Sequence, residues 1–146
     1  MSTILEIISK TQQETERAAQ NLANQLDKIR VITLNGDLGT GKTVFARALI
    51  RALTKTPDLE VPSPTFTLIQ TYNAPSGPIS HFDCYRLENP DEIYEIGWED
   101  ALSEGLAIIE WPQRITPLLP ATRLDITLAP VQNNPEHRHI KITQTG

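Results

Sequence analysis

The sequence predicts an α/β domain built on a mixed, mostly parallel sheet flanked by helices, with antiparallel hairpin strands at its margins. Three observations carry this. Val31-Ile32-Thr33-Leu34 is an apolar run that stops at Asn35-Gly36. After a glycine-rich stretch, Val44, Phe45, Ala48, Leu49, Ala52 and Leu53 recur on one helical face with Arg47 and Arg51 opposite, so a buried strand leads through a turn into an amphipathic helix. Leu106–Ile109 is a second unbroken apolar run of strand length. Near the C-terminus, Arg123–Leu128 and His137–Thr143 alternate with period two, placing Leu124, Ile126, Leu128, Ile140 and Ile142 on one buried face and leaving the other wet.

The 146 residues fit one domain, 1–146, with one moderate core, and 39% apolar with 21% charged residues is a globular balance. A net charge of −5 argues against a broad basic surface for nucleic acid, leaving RNA to a local patch or to a partner. Cys84 is the only cysteine, so no internal disulfide can form and a reducing cytoplasm is expected. No apolar run approaches the ~20 residues of a membrane span, and the N-terminus lacks a signal pattern, so no membrane partner is expected.

In chain order, Ile4–Ile8 predicts a first strand. Thr11-Gln12-Gln13-Glu14 has capping-box form and opens a helix whose stripe, Ala18, Leu22 and Leu26, reaches about Asp27. The helix after the glycine-rich loop is expected to end near Thr54, and the proline-bearing stretch from Lys55 to Pro64 to be a loop. Thr65–Tyr72 is β-branched and aromatic and predicts a strand, paired across a break at Asn73–Pro78 with a strand at Ile79–Tyr85. Asn89-Pro90-Asp91-Glu92 signals a helix start, Gly97 its stop, and Trp98–Ser103 a second short helix. A turn at Asn133-Asn134-Pro135 joins the last two strands.

Gly36-Asp37-Leu38-Gly39-Thr40-Gly41-Lys42-Thr43 reads G-x-x-x-x-G-K-T between a strand and a helix, the pattern of a phosphate-binding loop. The domain is therefore expected to be P-loop NTPase-like. The first turn of a helix leaves backbone N–H groups unpaired and carries partial positive charge. Glycines let the backbone curl so that these amides meet phosphate oxygens. Lys42 would reach the β- and γ-phosphates and Thr43 would offer its hydroxyl to Mg²⁺.

Hydrolysis also needs an acid near the metal and a group that orients water. In an open α/β sheet, ligands bind beyond the carboxyl ends of the strands. Glu110 follows the run Leu106–Ile109, so it is assigned to Mg²⁺, and Asp83 in His-Phe-Asp is assigned to position water or act as base. Trp111, beside Glu110, either packs on the nucleotide base or belongs to the core. His137 and His139, without a third ligand, read as surface polar residues. No guanine-reading Asn/Thr-Lys-x-Asp tetrapeptide is present, which favours ATP.

These segments together resemble one family, TsaE (also called YjeE), bacterial ATPases of tRNA threonylcarbamoyladenosine synthesis. The matching residues are Gly36–Thr43, Ser63-Pro64-Thr65-Phe66-Thr67-Leu68, His81-Phe82-Asp83-Cys84-Tyr85-Arg86-Leu87, Asn89-Pro90-Asp91-Glu92 leading to Gly97, and Ile109-Glu110-Trp111-Pro112. The resemblance implies that Lys42, Asp83 and Glu110 form the catalytic set, that Thr43 and Glu110 serve Mg²⁺, and that Ser63-Pro64-Thr65 is a nucleotide-sensing switch. It also implies that Thr11 and Gln12 lie by the adenine. The chain would act with TsaB-like and TsaD-like partners, meeting tRNA only through the complex. Thr40, Val44 and Gln113 depart from residues frequent in the family, and Val44 removes a hydroxyl from the α-phosphate end of the loop. A small-molecule kinase is the alternative. It would phosphorylate an acceptor where an ATPase releases free phosphate.

Overall fold

The computed structural model describes residues 2–37 and 39–146; Met1 and the loop residue Leu38 lie outside them. In chain order the elements are β1 (Ser2–Ser9), α1 (Gln12–Leu22), β2 (Val31–Asn35), α2 (Lys42–Thr54), β3 (Ile69–Ala74), β4 (Gly77–Asp83), α3 (Trp98–Glu104), β5 (Leu106–Glu110), β6 (Arg123–Val131) and β7 (Asn134–Thr145). Short 3₁₀ segments at Ala23–Gln25, Pro90–Ile96 and Pro112–Leu118 complete the connections.

Among the described residues the strands form one sheet in the order β1-β7-β6-β2-β5-β4-β3. The four central strands β6, β2, β5 and β4 are mutually parallel, whereas β7 and β3 run against their neighbours and β1 against β7. Five of the seven strands therefore point one way, the mixed, mostly parallel sheet that the sequence predicts.

Strand alternation divides the core between the two faces. Ile32, Leu34, Ile79, Ile108, Ile126 and Leu128 face α1 and α2, where they bury Ala18, Leu22, Phe45 and Leu49. Val31, Phe82, Ala107 and Ile109 face the other way, against Ile93, Trp98, Ala101 and Ile115. Each fully buried side chain of this size contributes roughly 1.5–3 kcal/mol of transfer free energy. Cys84 is a buried core residue of this second layer, and burial pushes its thiol up to about 12.

Several elements differ from their predicted bounds: α1 stops at Leu22, short of Asp27, with Ala23–Gln25 following as a 3₁₀ turn, and β4 spans Gly77–Asp83 where the sequence predicts Ile79–Tyr85. The strand expected at Thr65–Tyr72 begins only at Ile69, because Leu68 donates its N–H to Pro64 O (2.8 Å) and accepts the N–H of Asp83 (2.9 Å). Leu68 adopts φ +69°, and the turn over Thr65–Leu68 overrides β propensity. The break between β3 and β4 shrinks to Pro75-Ser76, since Asn73 pairs with Pro78 and Ala74 with Gly77. Pro78 is tolerated because pairing to β5 starts only at Ile79. The last hairpin likewise runs to Val131↔Asn134, past the predicted strand ends.

The helices follow their signals. Thr11 Oγ1 accepts the Glu14 N–H at 3.1 Å, while Glu14 returns to the N–H of Lys10 at 3.2 Å. Helix α2 is buried beyond its predicted stripe, at Ala46 and Ile50 as well. Arg47 and Arg51 bond the carbonyls of Val61 (3.2 Å) and Leu59 (2.9 Å), tying the 55–64 connection to α2. The Asn89 helix is present as a 3₁₀ segment with a complete capping box, stopped at Gly97 with φ +98°.

Candidate active site

The carboxyl ends of β2, β4 and β5 converge on the loop between β2 and α2. Gly36 has φ +152°, and a Cβ there would come within 2.5 Å of Leu128 O and 2.6 Å of Thr40 Oγ1. Only glycine fits that position. Gly41, φ +97°, is the residue from which α2 begins. Thr40 closes the turn, its hydroxyl and its N–H both donating to Asp37 O at 2.8 and 3.3 Å.

A cleft of about 500 Å³ opens over this loop, lined by Gly39, Gly41, Lys42, Thr43 and Val44 on one side and by Asp83, Glu110 and Trp111 on another. Ser63 and Thr65 line it from the connection after α2, and Thr11 and Gln12 from the start of α1. Most of the residues singled out from the sequence therefore meet in one cleft. Gly36, Asp37 and Thr40 shape the loop without lining the cleft, and Pro64 is buried and does not line it either.

Lys42 is only 5% exposed. Its ammonium donates to Gly36 O at 2.5 Å and lies 3.3 Å from the centroid of the Trp111 ring. Burial lowers its pKa, opposed by the attraction of Glu110, Asp83 and Asp37. Trp111 adopts φ +58° and meets Tyr85 at a 4.9 Å centroid distance, so it is a half-buried wall of the cleft, next to the lysine.

Parallel pairing of β4 with β5 sets Asp83 directly beside Glu110. Asp83 Oδ1 accepts the Tyr85 N–H at 2.9 Å, and Oδ2 accepts the Thr65 hydroxyl at 3.3 Å. Thr65 and Ser63 share a 2.8 Å hydroxyl contact, which links the Ser63–Thr65 segment to Asp83. The carboxyl of Asp83 is raised above the usual carboxylate range, first by burial and then by Glu110, with the Tyr85 and Thr65 bonds and His81 pulling the other way. Such a group is closer to a working proton acceptor than an ordinary surface aspartate.

Sequence reasoning missed three contributors. His81, fully buried, lies two residues before Asp83 on the same strand face, and its Nε2 is 2.7 Å from Glu110 Oε2. Its period-two spacing from Asp83 was the available signal. Arg138 of β7 donates to Gly39 O and Thr40 O, each at 3.1 Å, and Glu136 lines the same edge of the cleft. Nothing local predicts a contact across 98 residues. His137 and His139 are partly exposed, and His139 Nε2 pairs with Glu6 Oε2 at 2.8 Å between β7 and β1.

The residues fit a magnesium ion bound chiefly by a nucleotide. A hard cation takes oxygen ligands, and Mg²⁺ commonly uses one or two protein groups plus phosphates. The cleft offers the Thr43 hydroxyl and Glu110, one of whose two oxygens is committed to His81.

The family model described as "Threonylcarbamoyl adenosine biosynthesis protein TsaE" matches residues 9–140. The chain is similar to the tRNA threonylcarbamoyladenosine biosynthesis protein TsaE of Rickettsia conorii, at 42% identity over 85% of this chain and 70% of that one. It is also similar to the protein of that name from Bacillus subtilis, at 36% identity over 92% and 82%. The crystal structure of Bacillus subtilis YdiB superposes with a TM-score of 0.77 at 29% identity, covering all of this chain and 88% of that one. With that family model matching residues 9–140 and relatives of this identity covering most of the chain, this chain belongs to the TsaE family.

Proposed function

We propose that the protein is a Mg²⁺-dependent ATPase that serves tRNA threonylcarbamoyladenosine biosynthesis together with TsaB-like and TsaD-like partners. The observation that carries this reading is the convergence of Lys42, Asp83 and Glu110 on one cleft beside the loop amides. In it, the loop amides and Lys42 bind the phosphates, and Thr11 and Gln12 border the adenine. Thr43 and Glu110 would hold Mg²⁺, which when bound would supply neutralisation of phosphate charge. Asp83 accepts a proton as water oxygen attacks the γ-phosphorus and the bond to ADP breaks. Ser63-Pro64-Thr65 reports the γ-phosphate to Asp83 through the Thr65 hydroxyl.

The acidic chain leaves tRNA to the partners. No helix among the described residues is long and apolar enough to cross a membrane. We assign the protein to the cytoplasm, with its tRNA pathway.

The test is single-turnover phosphate release from Mg·ATP, with and without the TsaB-like and TsaD-like proteins. It is paired with ATP-dependent pull-down of those partners. Phosphate release abolished by chelator and accelerated by the partners is the expected result. A phosphorylated acceptor in place of free phosphate would make it a kinase, and failure to recover either partner with ATP would remove it from this assembly.

A further inference from the structure

Glu110 is held from behind by a histidine that the chemistry above leaves without a role. His81 and Asp83 share one face of β4, and Glu110 projects from the same face of β5, whose register places His81 opposite Ile108 and Asp83 opposite Glu110. His81 thus reaches two residues along the neighbouring strand, to the next residue on that face, to meet Glu110. The Nε2 to Oε2 distance is 2.7 Å, with His81 wholly buried and Glu110 only 3% exposed. Nδ1 is buried, with no hydrogen-bond partner among the described residues.

That orphan nitrogen selects the arrangement. With the proton on Nε2, the short contact is a charge-assisted hydrogen bond, and Nδ1 forgoes only an acceptor role. With the proton on Nδ1, the Nε2 lone pair would face a carboxylate oxygen and a buried N–H would be unpaired as well. Among the described residues the histidine is therefore bonded only to Glu110, through a single directed bond.

Resting on the proposed function, we infer that His81 is a positioning residue: its Nε2–H holds Oε2, so that the remaining oxygen of Glu110 is the one offered to the magnesium. A carboxylate alone at a strand end can rotate about its terminal torsion, whereas one oxygen fixed by a buried donor leaves one ligand direction. Groups that orient a metal ligand in this way are commonly worth 10–100-fold in metal affinity.

The test measures ATP affinity by titration calorimetry, in excess Mg²⁺ and in chelator, together with the Mg²⁺ concentration that half-restores binding. Wild type, His81→Leu, His81→Gln and Glu110→Gln are compared. His81→Leu should raise the required Mg²⁺ about tenfold or more, while changing chelator-ATP affinity no more than about twofold. Gln places an amide N–H near the Nε2 position and should bring the Mg²⁺ requirement back to within about threefold of wild type. In the Glu110→Gln background, His81→Leu should add nothing.

If His81→Leu does not fold, His81→Asn replaces it. Its shorter amide falls short of Glu110 and should lose the Mg²⁺ effect that Gln keeps. An unchanged Mg²⁺ requirement in a folded His81→Leu or His81→Asn protein overturns the inference. So does an equal loss of chelator-ATP affinity, or full additivity with Glu110→Gln. Absence of Mg·ATP binding by the wild type would overturn the proposed function itself, a different failure.

Discussion

Asp83→Asn should make the protein more stable and less active, and the structure says why the two effects part. Asp83 is 4% exposed, so burial is the first penalty on its charge, and its parallel-register partner Glu110, one strand spacing of ~5 Å away, adds like-charge repulsion. Like charges at that separation repel by about 3 kcal/mol at an effective dielectric of 20. The ammonium of Lys42 attracts both carboxylates and the cleft is open to water, which together bring the net penalty down to the order of 1 kcal/mol. Asparagine removes the charge and keeps Oδ1 for the Tyr85 N–H. Its amide can donate to the Thr65 hydroxyl where the carboxylate accepted from it.

For a chain of this length, 1 kcal/mol corresponds to about 3 °C in Tm, here upward. The pH dependence fixes the cause. The folded pKa is raised above the ordinary 3.8, so between those two values the native state holds a proton that the unfolded state has lost. Wild-type stability is free of this penalty below 3.8, loses ground as pH rises through the raised folded value, and is level above it. The Asn advantage should be full near pH 7, shrink on acidification and vanish below about 3.8. Differential melts of the two proteins across pH, with single-turnover hydrolysis at saturating Mg·ATP, provide the assay. Hydrolysis should fall about tenfold or more with ATP affinity held within a few-fold. A variant that melts below wild type at pH 7, or hydrolyses ATP undiminished, would refute the reasoning.

Lys42→Ala should weaken ATP binding about tenfold or more, since a charged bond to phosphate is worth on the order of 1.5–3 kcal/mol; calorimetry finding unchanged affinity would dismiss the phosphate-loop assignment. Trp111 should report nucleotide by fluorescence because Lys42 lies against its ring, whereas Trp98 packs edge-on to Phe82 in the opposite layer; a Trp111→Phe protein keeping the full signal change would contradict this. Gly36→Ala should cost both stability and binding, because its Cβ meets the Leu128 carbonyl at 2.5 Å with φ at +152°; a melting temperature equal to wild type would count against the loop geometry.

The parts of the fold legible in the sequence are those in which a local signal and its tertiary role coincide. The apolar run of β2, the glycines, and the stripe of α2 lie within about twenty consecutive residues and each points to strand, loop or helix. The carboxylates were findable because an unbroken strand must end somewhere, and ligands gather at such ends. Thr65–Leu68 reads as strand by composition yet is a turn, since its fate rests on the Pro64 carbonyl and the Asp83 N–H, neither visible in the stretch itself. Arg138 has no local signature at all. Its role exists only because β7 runs past the phosphate loop, which is a property of the sheet order.

That placement of Arg138 bears on how the loop is readied for phosphate. In a trans peptide the carbonyl and the following N–H point in opposite directions. By drawing the Thr40 carbonyl toward β7, Arg138 turns the Gly41 N–H away from β7, at the residue where α2 begins. The Gly39 carbonyl is drawn the same way, and its partner N–H, that of Thr40, is taken by Asp37 O inside the loop. Thr40 is thus engaged in the loop's own turn, and under the proposed function the helix-start amide would meet the ligand. Lys42 completes the resting arrangement by bonding Gly36 O and covering Trp111. Under the proposed function, a triphosphate would meet a lysine that already has a partner. Binding would exchange a carbonyl for a phosphate oxygen, and only the difference between the two would contribute to affinity. That difference grows with the charge on the incoming oxygen, so the same geometry that keeps a buried ammonium from being unpaired would favour the more highly charged nucleotide.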